Sequence, residues 1–297
     1  MSTSVSQPLP GRAGAPPKRI HGPSALGGDV RRFWALTFTL ARTEFKLRFF
    51  GSALGNVWTL VRPLLFFGVL WLFFTQVAHV NENQGASGQF YGAQLLGSIV
   101  LFTFFSEATS GSVRSVVDRE NLVRKIHFPR MVIPQSEVLL ALFNLMLNMI
   151  VVTIFAVAAG VRPMLSWLEL PLIIAVLVVF VAGVSMLLSA LFVHFRDIQP
   201  IWEVTCQILL YASPVIISVV TIAEKTSPTA LHIYMLNPLA TLFQQFRHSF
   251  ITHATPSAAE ALGGYAALLA PMAIVAATFF VGFLVFNRAA VRIAENL

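Results

Sequence analysis

Long apolar stretches constrain this sequence more than any other feature, because an apolar helix of about 20 residues spans the hydrocarbon core of a bilayer. Of the 297 residues, 56% are hydrophobic and 11% are charged, and the mean hydropathy is +0.75. A soluble protein would need a polar surface that this composition cannot supply. The sequence therefore predicts an all-α polytopic membrane protein. We place six transmembrane helices at about 58–79, 90–111, 137–160, 170–193, 202–222 and 264–286, and we expect Ser213-Pro214 to break the fifth.

The first 30 residues differ in composition from the rest of the chain. They are rich in Pro, Gly and Ser and contain no apolar run, so 1–30 is expected to be a flexible tail and not a signal peptide. The single cysteine, Cys206, cannot form an intrachain disulfide and is expected to be a packing residue.

Basic residues recur at helical spacing just before the first span. In 31–50, Arg32, Arg42 and Lys46 fall on one face of a helix, and Phe33 and Leu36 fall elsewhere. This pattern predicts an N-terminal amphipathic helix that lies in the membrane interface. The alternative is a frayed beginning of the first span.

The segment 231–251 is apolar but is poor material for a membrane span, because it contains Asn237-Pro238, Arg247 and His248. Without a span here, both chain ends are cytoplasmic, and all but three of the 20 Lys and Arg residues lie on the cytoplasmic side. We therefore predict external re-entrant helices at about 230–252, between the fifth and sixth spans. Such a segment requires surrounding protein or a water-filled cavity.

A charged block interrupts the apolar sequence at 112–134, on the cytoplasmic side between the second and third spans. It mixes acidic with basic residues in a stretch that favours a helix, and Pro129 ends it. Two interpretations remain open. The block is either a docking surface for a partner protein or a loop whose basic residues contact anionic lipid headgroups.

Sequence motifs of catalysis are absent. There is no G-x-x-x-x-G-K-[ST] phosphate loop, no H-E-x-x-H and no G-x-S-x-G, and the seven histidines lack metal-ligand spacing. We therefore predict no catalytic residue, no metal site and no cofactor in this chain. Glu107 is the charged residue placed deepest in a predicted span. Phe67 and Trp71 share a helix face, which fits either lipid-facing filler or a path for sugars.

Several motifs, in order along 31–290, resemble the permease subunits of ABC-2-type polysaccharide exporters, which serve O-antigen, teichoic acid or cell-wall galactan export. The similar stretches are RFFGSALGNVWTLVRPLLFF (48–67), ENLVRKIHFPRMVIP (120–134), HFRDIQPIW (194–202), YASPVI (211–216) and LNPLATLFQQFR (236–247). The resemblance implies an ABC-2-type transmembrane domain over 31–290, with a cytoplasmic C-terminus at 291–297.

The resemblance also implies partners and site residues. Two copies of the chain would work with two separate ATPase subunits, and these subunits would bind the ATP and Mg. The other partners would be the membrane lipids and the lipid-linked glycan. No nucleic acid is expected as a partner. A coupling helix at about 115–128 would dock on the ATPase through Asp118, Glu120, Asn121, Arg124 and Lys125. In the gate helix 31–50, Arg42, Lys46 and Arg48 would attract a diphosphate or contact lipid headgroups. The channel would be lined by Phe67, Trp71, Tyr211 and Glu107.

The implied function is ATP-driven export of a polyprenyl-diphosphate-linked polysaccharide across the cytoplasmic membrane. An excess of Arg over Lys and abundant Ala suggest that the gene comes from a GC-rich genome. This favours cell-wall galactan as the glycan over O-antigen or teichoic acid. The alternatives are an ABC-2-type permease for a lipid or small-molecule drug and, more distantly, a membrane enzyme acting on a polyprenyl substrate.

Overall fold

The computed structural model describes residues 30–47, 57–77, 90–120 and 129–296, with side chains described as far as residue 289. Regular structure within these ranges is helical, with no strand. The helices are α1 (Val30–Leu47), α2 (Trp58–Leu72), α3 (Tyr91–Asp118), α4 (Val132–Ala158), α5 (Leu170–His194), α6 (Ile198–Tyr211), α7 (Val219–Lys225), α8 (Pro228–Met235), α9 (Pro238–Phe246), α10 (Ala258–Ala261) and α11 (Leu269–Asn296). Short π-helical segments extend α2 through Phe73–Val77 and α9 through Arg247–Ile251. Short 3₁₀-helices at Leu165–Glu169 and Tyr265–Leu268 precede α5 and α11.

Five helices are long and apolar enough to cross a membrane, whereas the sequence predicts six. They cover Trp58–Gln76, Tyr91–Asp118, Val132–Ala158, Leu165–His194 and Tyr265–Ala289, and they correspond to the first, second, third, fourth and sixth predicted spans. The predicted fifth span, 202–222, is interrupted at Ser213-Pro214, as the sequence predicts, and is therefore not one long helix. It consists of α6, a non-helical stretch and the short α7, because the helix ends just before Pro214, which offers no N–H to continue it.

The helix α3 forms the centre of the fold. Most of its side chains from Tyr91 to Val116 are buried, and it packs against α4, α5 and α6.

Glycine allows a close crossing of α5 and α11. A Cβ atom on Gly282 would lie 2.2 Å from the carbonyl oxygen of Gly183, so neither position has room for a side chain.

Pro63 lies inside α2 and leaves the carbonyl of Thr59 without its helical donor. The side-chain amide of Asn148 on α4 donates to this carbonyl oxygen at 3.2 Å. A proline that weakens one helix thus creates a polar link to a second helix. This link positions α2 beside the functional site described below.

The N-terminal helix α1 packs against α4 through a narrow face that buries Phe33, Thr37 and Ala41. The residues predicted to share a polar face are all exposed: Arg32, Ala35, Thr39, Arg42, Thr43 and Lys46. The basic side chains of α1 therefore point away from the protein interior.

Local capping explains the short helices between α6 and α11. The side chains of Ser218, Ser227 and Asn237 accept hydrogen bonds from the backbone at the N-termini of α7, α8 and α9. Asn237 also donates to the carbonyl of Ala212 at 3.2 Å and to the hydroxyl of Ser213 at 3.1 Å. The beginning of α9 is therefore tied directly to the break after α6.

Candidate functional site: two joined cavities and their charged neighbours

Two cavities meet at Glu107 in the middle of α3. The first, of about 400 Å³, is lined by Glu44, Leu47, Glu107, Gly111, Glu137, Leu140 and Ala141. The second, of about 210 Å³, is lined by Phe66, Ile99, Phe102, Thr103, Ser106, Glu107 and Leu210. Glu107 lines both cavities, so they are joined at this side chain: α1 and α4 contribute to the first cavity, and α2 and α6 contribute mostly apolar side chains to the second.

Amide side chains of α4 hold Glu107 in place. The Nδ2 atom of Asn144 donates to Glu107 Oε2 at 3.1 Å, and Asn144 is 3% exposed. One turn further along the same face, Asn148 donates to the Asn144 carbonyl at 2.8 Å as well as to Thr59. A line of hydrogen bonds thus runs from Glu107 on α3 through α4 to α2.

A cluster of three charged residues joins the ends of three helices next to the first cavity. Arg119, at the end of α3, donates through Nη2 to Glu137 Oε1 at 2.7 Å and pairs with Glu44 of α1 through the same nitrogen. The three side chains are mostly buried, so the ion pairs are shielded from water. Burial opposes the charge of Arg119, but the carboxylates of Glu137 and Glu44 together outweigh it and raise the pKa of Arg119.

Gly111 provides the space for this cluster. A Cβ atom at Gly111 would lie 3.2 Å from Glu137 Oε2, so a larger residue would press on the carboxylate. The sequence interpretation did not include Glu44, Arg119 or Glu137 among the site residues. The available signal was that charged residues lie near the ends of predicted helices, where a charge at membrane depth usually has a partner.

The predicted channel residues lie in different environments. Phe67 is 7% exposed and packs against Phe155, with ring centroids 5.3 Å apart, whereas its neighbour Phe66 is 41% exposed and lines the second cavity. Trp71 and Tyr211 are exposed, at 40% and 75%. In this protomer Phe66 and not Phe67 lines the second cavity, because one residue along a helix turns the side chain by about 100°. The assignment of Phe67 to the channel stays a prediction.

The predicted docking and diphosphate residues are only partly within the described chain. Asp118 is exposed and pairs with Arg114 at 3.7 Å, and Glu120 is half-buried. Arg42 and Lys46 are exposed on α1, on either side of Glu44. Asn121, Arg124, Lys125 and Arg48 lie outside the described residues.

A second arginine, Arg247, lies beside the break that follows α6. It is 1% exposed, donates through Nη2 to the Val215 carbonyl at 2.8 Å and through Nε to Ser98 Oγ at 3.2 Å. Burial lowers the pKa of Arg247 to about 10, so the guanidinium is still charged at neutral pH. Arg247 therefore connects the segment after α9 with both α3 and the broken helix.

The chain is similar to known proteins over most of its length. Residues 35–251 match the ABC-2 type transporter family. The O-antigen export system permease protein RfbA of Myxococcus xanthus is 27% identical over 230 residues, which cover 77% of this chain and 85% of the relative. The protein of the same name from Klebsiella pneumoniae is 28% identical over 217 residues, which cover 73% of this chain and 80% of the relative. Since the family match spans most of the chain, from α1 through the turn that follows α9, this protein belongs to the ABC-2 type transporter family.

Proposed function

We propose that this chain is the transmembrane subunit of an ATP-driven exporter that moves a polyprenyl-diphosphate-linked polysaccharide across the cytoplasmic membrane. The observation that carries this proposal is the similarity, over 230 residues, to a permease whose name specifies O-antigen export. Cell-wall galactan and teichoic acid belong to the same class of lipid-linked cargo. The joined cavities at Glu107 support the proposal, because they place a carboxylate beside an apolar space lined by α2 and α6.

The proposed topology has six crossings and places both chain ends in the cytoplasm. The fifth crossing consists of α6 and the irregular segment after it, and α8 and α9 form the re-entrant part on the external side. Hydrogen bonds from Asn237 to Ala212 and Ser213 support this arrangement, because they surround the break with protein. In this topology α1 lies in the cytoplasmic interface, with its exposed arginines and lysine toward lipid headgroups.

A second copy of the chain would complete the channel. Apolar side chains of α2, including Leu65 and Val69, and of α6, including Val204 and Ile208, are more than half exposed in the single chain. These two helices also contribute Phe66 and Leu210 to the second cavity. Pairing of two copies through α2 and α6 would cover these apolar faces and enclose the path between them.

The energy would come from a separate ATPase that binds ATP and Mg. The docking helix would begin at the end of α3, with Asp118 and Glu120 followed by Asn121, Arg124 and Lys125. Arg119 joins this end of α3 to Glu44 of α1, so a displacement of the docking helix would be transmitted to α1. Arg42, Lys46 and Arg48 would then meet the substrate diphosphate at the cytoplasmic entrance.

Two measurements test this function. Purification of the tagged chain from gently solubilised membranes is expected to recover a phosphate-loop ATPase at equal stoichiometry, identified by mass spectrometry. Depletion of the chain in its host is expected to remove a polysaccharide from the cell surface while its lipid-linked form accumulates in the inner leaflet. Unchanged surface polysaccharide after depletion would contradict the proposed cargo, and absence of an ATPase from cross-linked membranes would contradict the exporter itself.

A further inference from the structure

An apolar groove of about 500 Å³ lies between α1, α5 and α11 and shares no lining residue with the two joined cavities. Its walls include Phe33 and Trp34 of α1, Val179 and Met186 of α5, and Phe280 and Phe283 of α11. Among the described residues that line it, Gln135 alone has a polar side chain. The groove therefore suits a hydrocarbon chain and not a sugar or a nucleotide.

The length of the groove limits how much of a hydrocarbon chain it holds. Its lining on α5 extends from Val178 to Met186, which corresponds to about 12 Å at the rise of an α-helix. This length accommodates the first part of a single fatty acyl chain, and the rest of that chain would extend into the surrounding lipid.

A largely buried cation directly precedes one of the groove residues in the sequence. Arg130 comes immediately before Met131, which lines the groove, and is only 7% exposed. Its Nη1 atom is buried and has no hydrogen-bond partner in the part of the chain that the structure describes. A buried guanidinium nitrogen without a partner is unfavourable, so an anionic ligand would stabilise this position.

Two further arginines lie near groove residues in the sequence. Arg32 directly precedes Phe33, Arg288 follows Phe283 by little more than one helical turn, and both side chains are exposed. The combination of an apolar groove and basic residues matches an amphiphile that has an anionic head and a fatty acyl tail.

We infer that the groove between α1, α5 and α11 binds one anionic glycerophospholipid, with an acyl chain along α5 and the phosphate on Arg130. The phosphodiester accepts charge-assisted hydrogen bonds from the guanidinium, which provides the partner that Arg130 lacks among the described residues. Because the groove contacts α1, the bound lipid fixes the position of this helix against α5 and α11. The site is separate from the proposed path of the exported substrate.

Native mass spectrometry of the full-length chain, purified in the presence of defined lipids, tests this inference. Phosphatidylglycerol and phosphatidylcholine with identical acyl chains are supplied as an equal mixture, and we expect preferential retention of phosphatidylglycerol. Arg130→Gln is expected to weaken that preference about tenfold, since a hydrogen bond to a charged group contributes about 1.5–3 kcal/mol. Arg162→Gln, which changes an exposed arginine outside the groove, is the matched control and is expected to behave like the wild type.

A second variant tests the groove itself and does not depend on Arg130. Val179 is 41% exposed and lines the groove, so Val179→Trp fills the space without repacking the core, and we expect it to reduce the retention of both lipids. Val281→Trp, at a position on α11 that is 49% exposed and does not line the groove, is the control.

Several outcomes would overturn the inference. These are equal retention of the two lipids by the wild type, unchanged preference in folded Arg130→Gln, or unchanged retention in Val179→Trp. Displacement of phosphatidylglycerol by an equal concentration of a polyprenyl phosphate would instead assign the site to a polyprenyl lipid. Loss of the chain's self-association in Val179→Trp, with no change in bound lipid, would assign the groove to a second copy.

Discussion

Arg119 and Arg247 are both largely buried arginines in an apolar protein, but their charges are compensated in different ways. Arg119 is paired with two carboxylates, from α1 and α4, whereas the described contacts of Arg247 are neutral oxygens of Val215 and Ser98. The three-residue cluster at Arg119 joins separate helix ends and has two carboxyl groups for one guanidinium. Arg247 is enclosed on all sides and joins the segment after α9 to the helix at the centre of the fold.

This difference indicates different roles in the two halves of the molecule. Ion pairs between helix ends can exchange partners when a helix moves, because each carboxylate still finds a cation or water. A guanidinium surrounded by neutral acceptors in the interior has no such alternative, since its release would leave several polar groups unpaired. We therefore expect Arg247 to act as a fixed anchor and the Arg119 cluster to act as a connection that can rearrange.

The largest expected effect is that of Arg247→Ala. The substitution leaves the Val215 carbonyl and the Ser98 hydroxyl without their donor and creates a cavity, so we expect a loss of about 3–5 kcal/mol in the free energy of unfolding. Thermal unfolding in detergent, followed by circular dichroism, measures this loss. Lys225→Ala, which removes an exposed cation, is the control and should leave the unfolding temperature unchanged. A stable Arg247→Ala protein would remove the distinction between the two arginines.

The next effect in size is that of Arg119→Gln. Loss of the cation leaves Glu44 and Glu137 close together without compensation, and we expect a destabilisation of about 2 kcal/mol. The double variant Arg119→Gln/Glu44→Gln should recover part of this loss, because it removes the surplus carboxylate. Unfolding temperatures of Arg119→Gln, Glu44→Gln and the double variant give the coupling free energy between Arg119 and Glu44. Strictly additive effects would show that Arg119 and Glu44 do not interact.

A smaller effect on stability, but a clear effect on transport, is expected for Glu107→Gln. The amide oxygen of Gln can still accept from Asn144, so the free energy of unfolding should change by less than about 0.5–1 kcal/mol. Export should fall several-fold if Glu107 faces the substrate where the cavities meet. Glu224→Gln, at an exposed position that lines neither cavity, is the matched control. Normal export by Glu107→Gln would separate the cavities from the transport path.

The smallest effect on stability is expected for Asp118→Asn. The pair between Arg114 and Asp118 is more than half exposed, so its contribution to stability should not exceed about 0.5 kcal/mol. Recovery of the ATPase with the tagged chain should nevertheless decrease, because Asp118 belongs to the proposed docking surface. Equal recovery from Asp118→Asn and wild-type membranes would restrict that surface to other residues.

Much of the fold could be predicted from local sequence. Apolar length predicts the first, second, third, fourth and sixth spans to within several residues at most ends, and helical spacing places Arg32, Arg42 and Lys46 on an exposed face of α1. The break at Ser213-Pro214 and the beginning of α9 after Asn237 also follow from local rules, since proline lacks a backbone donor and Asn caps a helix. These features depend on near neighbours in the chain.

Other features depend on which distant helices meet. The sequence indicates that Glu44, Arg119 and Glu137 are charged and lie near helix ends, but their convergence depends on how α1, α3 and α4 pack. The same applies to the burial of Phe67 and the exposure of Phe66, which are decided by the rotation of α2 against α4. Hydrophobic periodicity determines that a helix has a buried face, whereas the packed neighbours determine which side chains that face contacts. The sequence by itself therefore determined the membrane class, most spans and the exposed basic face of α1, and the tertiary structure decided the cavities, the two arginine sites and the groove.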